Sequence, residues 1–163
     1  MKLNSLQDVL EEQLNDLYSA EQQLVKALPK VAEAASNTEL QKAIKNHLEE
    51  TKEHVSRIED AFELAGIKPG NEECKAMKGL IAEGEEIIKA TGDNDAIDAA
   101  LIAAAQRVEH YEISAYGTAR TISQQLGLDD AAKKLQETLD EESKANELLT
   151  KIATKKVNAS AKS

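Results

Sequence analysis

Tryptophan is absent from this 163-residue chain, and the remaining aromatics are three Tyr and one Phe. Ala, Leu, Glu, Lys and Gln dominate instead, the residues that lose least on entering a helix, so the composition specifies an all-α protein. Cysteine is scarce too. Cys74 stands alone, which excludes an intrachain disulfide and makes a reducing cytoplasm the natural setting; it reads as a small, half-buried hydrophobe near a loop. Long apolar runs are also missing. The opening "MKLNSLQDVLEEQL" turns acidic at once, so neither a signal peptide nor a membrane span is expected. Positive charge is in the minority, 20 Lys and Arg against 30 Asp and Glu, for a formal net charge of -10. That balance argues against nucleic acid and anionic membranes, whose affinity comes from clustered basic residues, and leaves cations, small molecules or other proteins as partners.

A chain of this length fits one domain with a core of its own. Apolar residues recur at helical spacing from Leu6 through Leu10, Leu14, Leu17, Leu24 and Leu28, with Ser5 and Asp8 as an acidic capping box. Pro29 interrupts this first helix, and "PKVAEAA" resumes it as a kinked or separate last turn. A second helix is expected over 38–65, with Leu40, Ile44, Leu48, Thr51, Val55, Ile58 and Phe62 inward and Gly66 as its left-handed stop. Residues 72–90 read as a shorter helix within a crossover. Helices over 95–125 and 129–153 are joined by "LGLDD", short enough to make them antiparallel neighbours. The expected architecture is therefore a four-helix bundle over 1–153, one long crossover carrying the additional shorter helix, and a disordered polar tail over 154–163. An offset of ninety-one residues superposes Leu10 on Leu101, Leu17 on Val108, Glu21 on Glu112, Ile44 on Leu135, Leu48 on Leu139 and Glu50 on Glu141. Two hairpins related by a pseudo-twofold axis would produce that repeat.

Acids interrupt the apolar stripes. Glu21 lies four residues after Leu17 and three before Leu24, and His47, Glu50 and His54 share one face of the second helix. Glu109 and Glu112, three apart, are flanked by Ala105, Val108 and Tyr116; Glu142 lies among Leu135, Leu139, Leu149 and Ile152. These positions fall near mid-helix and converge in an antiparallel bundle. Burying several carboxylates together costs several kcal/mol apiece unless something neutralises them. Glu21, Glu50, Glu109 and Glu142 match the charge of two divalent cations, with Glu112 and either His47 or His54 completing the shells. For the last helix the internal repeat points to Glu141 and the apolar stripe to Glu142. The resulting metal set is Glu21, His47, Glu50, Glu109, Glu112 and Glu142. Mixed carboxylate and imidazole donors suit iron or manganese, with zinc as a surrogate, and bundle-core di-metal sites are built this way. Tyr18 is a candidate hydrogen-bond donor to a ligand, although core filling suits it better, and His110 points away.

The blocks "DLYSAEQQLVKALPKVAEAA", "LQKAIKNHLEETKEHVSRIEDAFELAG", "AAAQRVEHYEISAYGTAR" and "LQETLDEES" resemble the YciF/YciE-like family of the ferritin-like superfamily. The resemblance covers nearly the whole chain except the tail. It implies a ferritin-like bundle with an added helix, a homodimer, a core related to rubrerythrin-type di-iron proteins and a part in stress responses; the di-metal site expected from the residues could bind and oxidise Fe(II) with oxygen or peroxide. The chain departs from the superfamily pattern, which places Glu-x-x-His on two helices: His47-x-x-Glu50 is reversed, and Ala145 stands where a His would follow Glu142. No Cys-x-x-Cys pair is present, so the rubredoxin-like centre of rubrerythrins is missing and a peroxidase cycle would need an external reductant. The contrasting expectation is a non-enzymatic helical interaction protein whose metal, if any, is structural.

Overall fold

A computed structural model describes residues 3–161. Five helices account for most of it: α1 (Leu6–Ala34), α2 (Thr38–Ala65), α3 (Lys75–Ile88), α4 (Asn94–Gln125) and α5 (Asp129–Ile152). Among the described residues there is no strand, and no helix is long and apolar enough to cross a membrane. Helix α1 pairs with α2, α4 with α5 and α2 with α5, while α3 lies along α1 and α4. The expected bundle with one helix-bearing crossover is the observed one.

Local chemistry sets the ends. Ser5 and Asp8 form the capping box of α1, and Gly66, at φ 66, takes the left-handed position that closes α2. Asn37 caps α2 by accepting from the amides of Glu39 and Leu40. Helix α1 continues through Pro29 to Ala34. Pro29 is on the exposed side, where the carbonyl it leaves unpaired can turn to water. Across the bundle, buried Asp98 of α4 accepts from the amides of Ser36 (2.8 Å) and Asn37 (2.7 Å), tying the α1–α2 turn to the second hairpin.

Four seams meet in the core, each alternating steps of three and four. In α1 the seam is Leu10, Leu14, Leu17, Glu21, Leu24 and Leu28; in α2 it is Leu40, Ile44, His47, Thr51, His54 and Ile58. This 3.5-residue period keeps one stripe inward along a long helix. Leu48 and Val55, expected inside, are only half-buried, and His47 and His54 take the core instead. Apolar packing is divided into two clusters, one around Leu24, Ile44, Leu101 and Leu149, the other around Leu14, Ile58, Phe62 and Leu135. The polar residues of the seams lie between them.

The expected disordered tail is corrected over 154–161. Helix α5 passes into a π-helical turn, Ala153–Val157, and a short helical segment, Asn158–Ser160. At α-helical spacing the residue four after Ile152 is Lys156, which would end the apolar seam. The wider turn adds one residue and delivers Val157, fully buried, to the core in its place. Residues 162 and 163 lie outside the described residues.

Candidate metal centre

Of the six residues in the sequence-derived set, the structure brings five together. His47, Glu109, Glu112 and Glu142 form one group, and Glu21, His54 and Glu142 a second, with the donor atoms of each group within 4.8 Å of one another. Glu21, Glu112, His54 and Glu142 are wholly buried, Glu109 and His47 nearly so. Glu50 stays outside, its side chain 49% exposed, with Oε2 3.6 Å from His47 Nδ1. The seam explains the difference: Thr51, one residue on, holds the core position, and its hydroxyl donates to the His47 carbonyl. Glu141, which the sequence offset pairs with Glu50, is likewise outside the two groups.

Glu142 belongs to both groups and reaches each with a different oxygen. Its Oε1 is 2.9 Å from His54 Nδ1, and its Oε2 is 3.8 Å from His47 Nε2. His54 Nδ1 also lies 3.4 Å from Glu21 Oε1, and His47 Nε2 lies 3.5 Å from Glu109 Oε1. These contacts are close without being hydrogen-bonded: both Glu112 oxygens, both Glu142 oxygens, Glu21 Oε2, Glu109 Oε2 and His54 Nδ1 have no hydrogen-bond partner. Buried polar atoms are ordinarily paired, and leaving so many orphaned in one place is expensive. Donor atoms gathered this closely could hold a metal ion between them.

The outer atoms are held. His54 Nε2 lies 2.9 Å from Glu141 Oε2, and Glu141 is gripped by Arg57 through Nη1 (2.5 Å) and Nη2 (3.1 Å). This chain of contacts fixes the ring and turns Nδ1 inward, the arrangement that orients an imidazole ligand. The Tyr116 hydroxyl donates to Glu21 Oε1. Neither Arg57 nor Tyr116 was singled out from sequence as a supporting residue, although Tyr116 continues the seam Glu109, Glu112, Tyr116, Ala119. Tyr18, the sequence candidate for that role, instead donates to Glu59 (2.8 Å) and packs edge-on against Phe62. His110 is exposed and bonds the Gln106 carbonyl. Cys74 is fully buried, caps α3 and contacts the Tyr111 hydroxyl at 3.2 Å.

Charge in the site is strongly perturbed. Burial pushes the carboxyls of Glu21, Glu109 and Glu112 up, the latter two well above the usual carboxylate range. Burial by itself would lower the imidazoles, but the facing carboxylates outweigh it: Glu109, Glu50 and Glu142 bring His47 to about 9, and Glu142 and Glu21 bring His54 to about 10. Burial opposes ionisation of Glu142 too, yet His54 and His47 hold it below its ordinary value. With only protons to share, burial works against ionising Glu109 and Glu112, while Glu142 and the two imidazoles favour their charged forms. Four carboxylates carry the charge that two divalent cations neutralise, and six oxygen- or nitrogen-bearing side chains match the donors iron and manganese accept. The residues present therefore fit such a pair of ions.

Residues 5–162 match the family described as a domain of unknown function, DUF892. The chain belongs to the DUF892 family. It is 48% identical over 162 residues to Protein YciF of Escherichia coli (strain K12), covering 99% of this chain and 98% of that protein. Among solved structures, the crystal structure of the E. coli stress protein YciF superposes with a TM-score of 0.93 over 96% of this chain and 99% of that one. A second solved structure, YcfI, described as a putative structural protein from Rhodopseudomonas palustris, gives a TM-score of 0.88 at 42% identity, covering 91% and 95% of the two chains. A Xanthomonas campestris protein shares the fold alone, with 19% identity and a TM-score of 0.77 over 95% of each chain. The YciF-like fold and family expected from the four quoted blocks are thus found.

Proposed function

We propose that this protein is a ferritin-like di-metal carboxylate protein that binds two divalent cations per chain, iron foremost, and oxidises Fe(II) with oxygen or peroxide in a stress response. The observation that carries the reading is the set of buried, unpartnered donor atoms from four helices, arranged in two groups that share Glu142. His54 and Glu21 would hold one ion and His47, Glu109 and Glu112 the other, with Glu142 between them. Bound iron would supply the electrons that reduce the oxidant. The chain's own residues do the rest: Arg57 and Glu141 orient His54, Tyr116 holds Glu21, and the two apolar clusters restrict water. The stress role draws on what the YciF structure is called. A cytoplasmic homodimer belongs to the same reading; exposed Leu3, Leu6 and Leu64 lie where α1 begins beside the end of α2 and offer apolar surface for a second copy.

Metal analysis after anaerobic loading with Fe(II) tests the proposal. Two ions per chain are expected, and less than about one overturns it. Optical spectra recorded while oxygen or peroxide is added then test turnover. A non-enzymatic role is favoured by one observation, the pairing of imidazoles with Glu142 and Glu21, which lets the cluster balance its charge with protons alone. Loading without any oxidant-dependent spectral change would select that role, with a structural metal.

A further inference from the structure

One wall of the cluster is open to a cavity. A space of about 350 Å³ lies among α1, α2, α4 and α5, with α3 beside it, in the half of the bundle around Leu24, Ile44, Leu101 and Leu149. His47 and Glu109 line it, both at least nine-tenths buried, and His47 Nδ1 and Glu109 Oε2 have no hydrogen-bond partner. Much of the remaining wall is aliphatic, and it is kept wide by small residues, among them Ala43, Ala105, Ala145 and Gly84. A Cβ built at Gly84 would meet nothing within 4 Å. Apart from His47 and Glu109 its charged lining residues are exposed or half-buried: Lys30 and Glu85, which pair at 3.0 Å, and Glu50, Glu141 and Lys144. Such a volume would take roughly a dozen waters, each needing two to four polar partners that aliphatic walls do not provide. An ion would leave its hydration shell there without compensation. Cavities of this size and lining hold small organic molecules.

We propose that this cavity binds an uncharged, mainly aliphatic molecule, held with one end against His47 and Glu109. The inference rests on the di-metal reading for its consequence, which is to name the class of organic substrate brought to the centre. Binding itself needs only the cavity.

The test is fluorescence titration of the full chain with N-phenyl-1-naphthylamine, an uncharged apolar probe, with chelator and again after loading with Mn(II). Saturable binding at about one site per chain is expected, with displacement by n-alcohols that strengthens with chain length until the cavity is filled. Ala43→Leu and Ala105→Leu each push three carbons into the wall and are expected to weaken the probe at least about tenfold while leaving metal stoichiometry unchanged. No saturable binding, displacement indifferent to chain length, or wild-type affinity in a folded variant overturns the proposal. So does probe binding confined to monomeric fractions in sedimentation, which assigns the space to a second copy. Probe binding without metal binding removes the di-metal reading and leaves the cavity site; metal binding without probe binding does the reverse.

Discussion

Replacing Glu112 with methionine removes a carboxylate that is wholly buried and has neither oxygen hydrogen-bonded. Burial holds this carboxyl well above its ordinary value of 4.5, so the metal-free native state keeps the Glu112 proton to higher pH than the unfolded chain does. A raised acid disfavours the native state progressively as pH climbs above 4.5, up to the folded value. The cost grows by about 1.4 kcal/mol per pH unit over that interval. Methionine fills a similar volume with a flexible apolar chain. In chelator, E112M is therefore expected to be more stable than wild type, with a gain that is larger at pH 7 than at pH 5 and grows by at most about 1.4 kcal/mol per pH unit. Urea unfolding followed by circular dichroism at both pH values measures this directly. With Mn(II) at a hundred times its dissociation constant the gap is expected to narrow, because wild type gains about 2.7 kcal/mol and E112M far less. A gain that is the same at both pH values, or a loss at pH 7, would refute the account of Glu112 as an uncompensated buried acid.

Other perturbations have equally definite outcomes. Arg57→Met releases Glu141 and with it the orientation of His54, so metal affinity in an equilibrium titration is expected to fall about 10–100-fold with the helical content unchanged. Metal-free protein is expected to lose stability on the alkaline side: imidazoles raised from 6.5 to about 9 and about 10 contribute fully below 6.5 and nothing above their folded values. That amounts to something of order 3 kcal/mol per imidazole, and urea midpoints that stay flat from pH 6.5 to 10 would contradict it. Glu142, held low, has the opposite sign and matters only below its ordinary 4.5. Asp98→Ala orphans the amides of Ser36 and Asn37 and is expected to cost about 2–4 kcal/mol in urea unfolding while metal stoichiometry is preserved. Tyr116→Phe takes the donor from Glu21 and is expected to weaken metal binding with little loss of stability, since the ring stays in place.

The bundle was legible because every long helix carries its apolar residues at one period, and Glu21, Glu109, Glu112 and Glu142 were legible because they break that period without leaving it. Helix α2 hides its contribution. There the seam positions hold His47, Thr51 and His54 while Leu48 and Val55 flank it, so a reading that sends the most apolar residues inward chooses the wrong stripe. Counting the alternate steps of three and four from Leu40 recovers both imidazoles and excludes Glu50. The C-terminal segment was misread because a helical period cannot foresee an inserted residue: the π-helical turn moves Val157 into a place where Lys156 would otherwise fall. Arg57 acts from one helix on Glu141 of another and leaves no pattern in its own sequence segment.

The layer of acids and imidazoles has a consequence for alignment. Leucine seams of the same period can slide past one another by a heptad and still bury leucine. The polar layer breaks that degeneracy, because a heptad slip brings Glu21 level with leucines and strips the imidazoles of their carboxylates, at a cost of several kcal/mol. One polar layer thus acts as the key that sets four helices in a single register, as a buried polar residue does in a coiled coil. A chain with all six residues made apolar is expected to be more resistant to urea yet to sample several alignments, visible as broadened or doubled amide signals in its NMR spectrum.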